Sequence, residues 1–178
     1  MGVWHYTNGS VIERILSEGV IKLATAGIAP PEKGVAWFST NPVWEPSANR
    51  GNMTLKKEYQ PGLVQVATKD VKVEKFDPAW MDKNMGRFRI AISAEVVAYD
   101  WSTIKKLANI QKEIARSMER GDKAEWGDPA EWRGTLQPVA KDHWRTVEKM
   151  VHGVWVPHVN LGYAVGGESA EGGRWGRS

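Results

Sequence analysis

VEKMVHGVWVP, residues 147–157, admits two local readings, and the choice between them decides the fold. Trp144, Val147 and Val151 recur at the period of a helix face. Against that, His152-Gly153 separates two β-rich runs, the pattern of a hairpin closed by a tight turn. The hairpin reading adds two strands near the C-terminal end. Strands then outnumber helices, with one helix early and another late in the chain. That arrangement argues for a single-domain α+β fold rather than a doubly wound parallel sheet.

Upstream, the alternation in residues 2–7 predicts a strand with Val3, His5 and Thr7 on one face and Trp4 and Tyr6 on the other. Asn8-Gly9 ends it. Ser10 and Glu13 have capping-box spacing, Val11, Ile12, Ile15 and Leu16 form the apolar stripe of a short helix, and Gly19 is its stop. A loop rich in Gly, Ala and Pro over 24–34 leads to a second strand, VAWFST, over 35–40, closed by Asn41-Pro42. Residues 44–59 have no clear period and read as a mobile segment beside a site. Strands are expected over 62–68 and 87–97, with a loop over 76–86 before the latter. A longer helix is expected over 102–120, where only Gln111 interrupts the apolar face and Gly121 is the cap. Asp128-Pro129 has the order of N-cap and first helical residue, so a further short helix is expected there, ended by Gly134. Residues 1–162 form the expected domain, and 163–178 a flexible glycine-rich tail.

The 178 residues are enough for one sizeable core and too few for two ordinary ones. No apolar run approaches the length of a membrane span and no leader pattern opens the chain, so a cytoplasmic protein with no membrane partner is expected. Zero cysteines exclude disulfides and thiolate chemistry. His143, His152 and His158 lack the spacing of a familiar metal site, so no metal is expected. No nucleophile elbow, P-loop or dinucleotide fingerprint is present. The ten tryptophans are assigned mainly to the core, and the net charge of +3 says little about partners.

What remains is an ordered set: WHYT at 4–7 before a short capped helix and SEGVI, WFSTNP at 37–42, RTVEKMV at 145–151, and a VP soon after. Taken together these resemble the ADP-ribosyltransferase superfamily, and within it the DarT-type enzymes that modify DNA. The resemblance implies an ADP-ribosyltransferase-like mixed β-sheet core and NAD as co-substrate. By position, His5 would contact an NAD ribose with Thr7 nearby, Tyr6 or Phe38 would wall the nicotinamide, Ser39 would support the site, and Glu148 would be the catalytic carboxylate. DarT-type enzymes also carry an arginine after the second strand; the nearest candidate here is Arg50, ten residues beyond Thr40.

The implied activity is mono-ADP-ribosyl transfer to a macromolecule, with nucleic acid, DNA or RNA, favoured over protein. Lys105, Lys106, Lys112, Arg116 and Arg120 on the 102–120 helix, and Arg174-Trp175-Gly176-Arg177 in the tail, offer contacts to phosphate and base. The competing expectation is a non-catalytic nucleic-acid- or protein-binding module of phage or mobile-element origin, which would need no glutamate.

Overall fold

The computed structural model describes residues 2–49, 82–121, 123 and 127–159. The deciding stretch is a hairpin. Strand β8 (Trp144–Val151) pairs antiparallel with β9 (Val154–Val159) across His152 and Gly153. Both turn residues have positive φ, 48° and 82°, which matches the right-handed twist of the strands they join. The helix-like spacing of Trp144 and Val147 has a local cause. Their partners on the neighbouring strand are Ile92 and Ile90, and the register shifts between Ala91 and Ile92. One extra residue in β8 therefore lets two side chains three positions apart share a face.

Among the described residues β8 belongs to a sheet of seven strands in the order β5-β6-β3-β1-β4-β8-β9. Its other members are β1 (Trp4–Asn8), β3 (Ala36–Ser39), β4 (Arg87–Ile92), β5 (Tyr99–Asp100) and β6 (Trp132–Thr135). The α+β class holds, but the expected mixed sheet does not: every pairing among the described residues is antiparallel. β1 lies at the centre, between β3 and β4. A separate pair, β2 (Val20–Ile21) and β7 (Val139–Ala140), contributes Ile21 and Val139 to the main core.

Helix α1 (Gly9–Glu18) covers one face of the sheet, where Ile12 and Ile15 share a core with Phe38, Phe88, Ile90, Trp144 and Val147. Its start differs from the expected capping box. Asn8 is the N-cap, accepting hydrogen bonds from Ser10 N at 3.0 Å and Ser10 Oγ at 2.6 Å, so the last residue of β1 also opens the helix. Gly19 ends it in the left-handed region, as its position predicts.

The expected helix over 102–120 is two helices, α2 (Trp101–Leu107) and α3 (Lys112–Arg120). The break is a Schellman motif: Ile110 N donates to Lys105 O and Asn109 N to Lys106 O, with Asn109 at φ 53°. The apolar stripe continues across the break because Ile104, Ala108 and Ala115 enter one cluster with Val35, Trp101 and Trp132. Periodicity alone therefore hid the interruption.

The expected short helix after Asp128-Pro129 is also corrected. Asp128 caps a single turn, accepting from Ala130 N, and the chain then extends into β6 against β3. Gly134 is a mid-strand residue whose lack of a Cβ admits the helix above it. A Cβ there would lie 2.7 Å from Val35 Cγ1 and 2.9 Å from Ile104 Cγ1. β4 also stops short of residue 97, because Val96 N turns back to Ser93 O.

The predicted strand over 62–68, most of the expected loop over 76–86, Arg50, and the tail with Arg174, Trp175, Gly176 and Arg177 lie outside the described residues. Among the described residues no helix is long and apolar enough to cross a membrane, and no cluster of His, Asp and Glu is placed to hold a metal ion.

Gly134→Ala is expected to lower stability by about 1–3 kcal/mol, because the methyl meets two buried β-branched side chains rather than a flexible tip. Denaturant unfolding of the variant beside Tyr99→Ala, a change at an exposed position, measures it.

Candidate active site

Side chains of directly opposed residues in antiparallel strands stand on the same face. Tyr6 opposes Arg89, and Arg89 opposes Glu148. These three therefore share one face across β1, β4 and β8. His5 opposes Ile90, which opposes Val147, and Thr7 opposes Phe88. They stand on the other face, under α1. The expected division of the first strand into a His5 and Thr7 face and a Trp4 and Tyr6 face holds, but the face that carries Glu148 is that of Trp4 and Tyr6, not that of His5 and Thr7.

At the centre of the Glu148 face is Arg89. Its Nε donates to Glu148 Oε2 at 2.5 Å and its Nη1 to the Pro42 carbonyl at 2.6 Å. The guanidinium lies between two indoles, 5.1 Å from the Trp4 ring centre and 4.5 Å from that of Trp155. Such contacts are worth about 0.5–2 kcal/mol each, more when water is excluded. It is excluded here to a large degree: the Arg89 and Glu148 side chains are 12% and 19% exposed. The stack continues through Trp155 to Trp44, with ring centres 6.3 Å apart, and to Arg87, 5.4 Å from the Trp44 ring and doubly bonded to Asp82. Glu148 Oε1 receives no protein donor among the described residues.

The loop after β3 folds over this face. Asn41 organises its start: the side-chain oxygen accepts from Val43 N and Trp44 N, and the side-chain nitrogen donates to Glu131. Its carbonyl accepts from the Tyr6 hydroxyl, while Tyr6 packs edge-on against Trp44 with ring centres 5.2 Å apart. Ser39, fully buried, accepts from Asn41 N. Glu45 binds the loop to β6, accepting from Ser47 N, Ser47 Oγ and Trp132 Nε1. Burial pushes the Glu45 carboxyl above its ordinary range, opposed by hydrogen bonds from Ser47 and Trp132. Burial likewise pushes the Tyr6 phenol up to about 12, against the lowering effect of Arg89 and with smaller raising effects from Glu45 and Glu148. Trp44 Nε1 is buried without a hydrogen-bond partner among the described residues.

Of the residues singled out from sequence, Glu148, Tyr6 and Ser39 come together on this face. Phe38, His5 and Thr7 do not join them. Phe38 is core, and its ring meets that of His5 at 5.9 Å. His5 Nδ1 lies 2.9 Å from the Trp37 carbonyl, and burial lowers its pKa, so the neutral ring carries its proton on Nδ1 and donates it there. Thr7 is buried. Arg50 lies outside the described residues.

Arg89, Trp155 and Glu45 are site residues that sequence reasoning passed over. Arg89 sits in RFRIAI, where charge alternating with apolar residues reads as a solvent-facing strand side. Its opposition to Glu148 appears only with the register. Comparison with protein-family models, curated proteins and solved structures finds no match, so the site is read from its own chemistry.

Because the folded phenol titrates near 12 and an unfolded one near 10, the native state holds a proton that the unfolded state has lost between those values. Stability contributed by Tyr6 is therefore complete below about pH 10 and falls as pH rises toward 12. Denaturant unfolding from pH 9 to 12 is expected to show this loss, and Tyr6→Phe is expected to remove it.

Proposed function

We propose that the protein is an NAD-dependent mono-ADP-ribosyltransferase with Glu148 as its catalytic carboxylate. The observation that carries this reading is a carboxylate held through one oxygen, with no donor to the other among the described residues, on a sheet face where Tyr6, Trp44 and Trp155 pack on one another. The residues suit such a co-substrate: a part-exposed indole, Trp155, for a pyridine ring, a carboxylate oxygen with no donor among the described residues for a ribose hydroxyl, and a buried indole N–H with no partner among them. The ordered likeness of WHYT, WFSTNP and RTVEKMV to DarT-type enzymes points the same way.

NAD supplies an activated ribosyl bond whose leaving group is neutral, so no acid is required of the protein. Glu148 stabilises the positive charge that grows on the ribose as that bond lengthens, as a carboxylate does in glycoside cleavage. The same carboxylate accepts the proton of the incoming acceptor. Ser39 and Asn41 hold the loop that carries Trp44. His5, Thr7 and Phe38 have no direct part in this version of the site, being on the face under α1.

For the acceptor, nucleic acid is favoured over protein. Lys106, Lys112, Arg116 and Arg120 of α2 and α3 are exposed, while Lys105 is held by Glu119 at 2.7 Å. Exposed cations of this kind attract phosphate without reading sequence.

Wild-type protein incubated with NAD and DNA, RNA or protein acceptors is expected to release nicotinamide and label an acceptor. Glu148→Gln is expected to reduce release by about 100-fold or more while the fold is kept. Acceptor binding with no release by wild type under any condition would favour the non-catalytic binding module instead.

A further inference from the structure

We infer that Arg89 is the positioning residue for Glu148: it takes one carboxylate oxygen and leaves the other as the single point of contact with the reacting ribose. This inference rests on the proposed function and adds to it a residue that the family likeness does not supply.

Three features of the geometry set Arg89 apart from an ordinary ion-pair partner. First, its planar fork is engaged in two directions, to Glu148 Oε2 and to the Pro42 carbonyl, so the group it holds and the loop over the site are tied to one rigid plane. Second, that plane is clamped between Trp4 and Trp155, which come from the central and edge strands of the sheet. A lysine would keep the charge but neither the fork nor the flat contact. Third, Arg89 and Glu148 are directly opposed across β4 and β8, so the strand pairing itself holds their backbones in place. A glutamate has three side-chain torsions and loses catalytic geometry easily; misplacement by about 1 Å costs on the order of 100-fold in rate. Arg89 removes that freedom. It touches neither ligand nor acceptor in this role, and its effect on the reacting ribose passes through Glu148.

The test is a double-mutant cycle on nicotinamide release from NAD, with kcat and KM measured separately for wild type, Arg89→Met, Arg89→Lys, Glu148→Gln and Arg89→Met combined with Glu148→Gln. Thermal unfolding of each variant identifies those that remain folded. Arg89→Met is expected to lower kcat about 10- to 100-fold with KM changed less than about threefold. Arg89→Lys is expected to fall in the same direction, and it replaces the methionine variant if that one fails to fold. In the Glu148→Gln background, loss of Arg89 is expected to change the residual rate far less than in wild type, by less than about twofold, since the carboxylate it positions is gone. Wild-type release with an unchanged kcat in both single Arg89 variants overturns the inference and leaves the proposed function standing. So does an equal further loss in the double variant, which marks a structural role independent of Glu148. A folded wild-type chain that releases no nicotinamide overturns the enzyme reading and this inference together.

Discussion

The guanidinium of Arg89 is the point on which the upper face of the sheet depends. Strand β4 supplies it, β1 and β9 supply the indoles on its two sides, β8 supplies its counter-ion, and the loop after β3 supplies its second acceptor. No other described side chain touches so many separate parts of the chain in this region. A cation is costly to hide, and this one is largely hidden while its Nε and Nη1 donate to a carboxylate and a carbonyl and two indoles lie against it. In turn it makes an open sheet face, which would otherwise be wetted, into a shaped surface with one charge balanced against another.

The opposite face has a different physics. Under α1 it is packed with Ile12, Ile15, Phe38, Ile90, Trp144 and Val147; of its polar members Thr7 is buried and His5 sets its ring against Phe38. Folding free energy comes largely from this side and from the smaller cluster under α2. The sheet thus separates two tasks. One surface is nearly all hydrocarbon, and the other, beside α2, carries the charges and the aromatic rings that chemistry would use.

Much of this was legible in the chain. The hairpin turn at His152-Gly153, the stripe of α1 and its stop at Gly19 are local features, and local features are what periodicity and turn chemistry report. Glu148 stands out in sequence as a lone acid among apolar neighbours, and the structure places it against Arg89. What escaped was set at a distance. Asn109 breaks a helix whose apolar stripe continues regardless, because both halves pack on the same cluster. Gly134 looked like a helix stop because nothing in sequence shows the isoleucine and valine that crowd it. Arg89 was passed over because its partner lies 59 positions away and only strand register joins them. Which side of the first strand faces Glu148 is set by the same register.

The shift of register between β4 and β8 matters beyond the strand that contains it. Trp144 and Glu148 are an even number of residues apart, and an unbroken strand would turn both side chains the same way. The odd residue inserted between them reverses the phase of the pleat once. A single strand can then drive its largest side chain into the hydrocarbon layer at one end and, about 13 Å along at about 3.3 Å per residue, offer its carboxylate to the other side. In that sense the sheet's division of labour is written into one residue of β8, and a chain one residue shorter there would have to choose between its anchor and its acid.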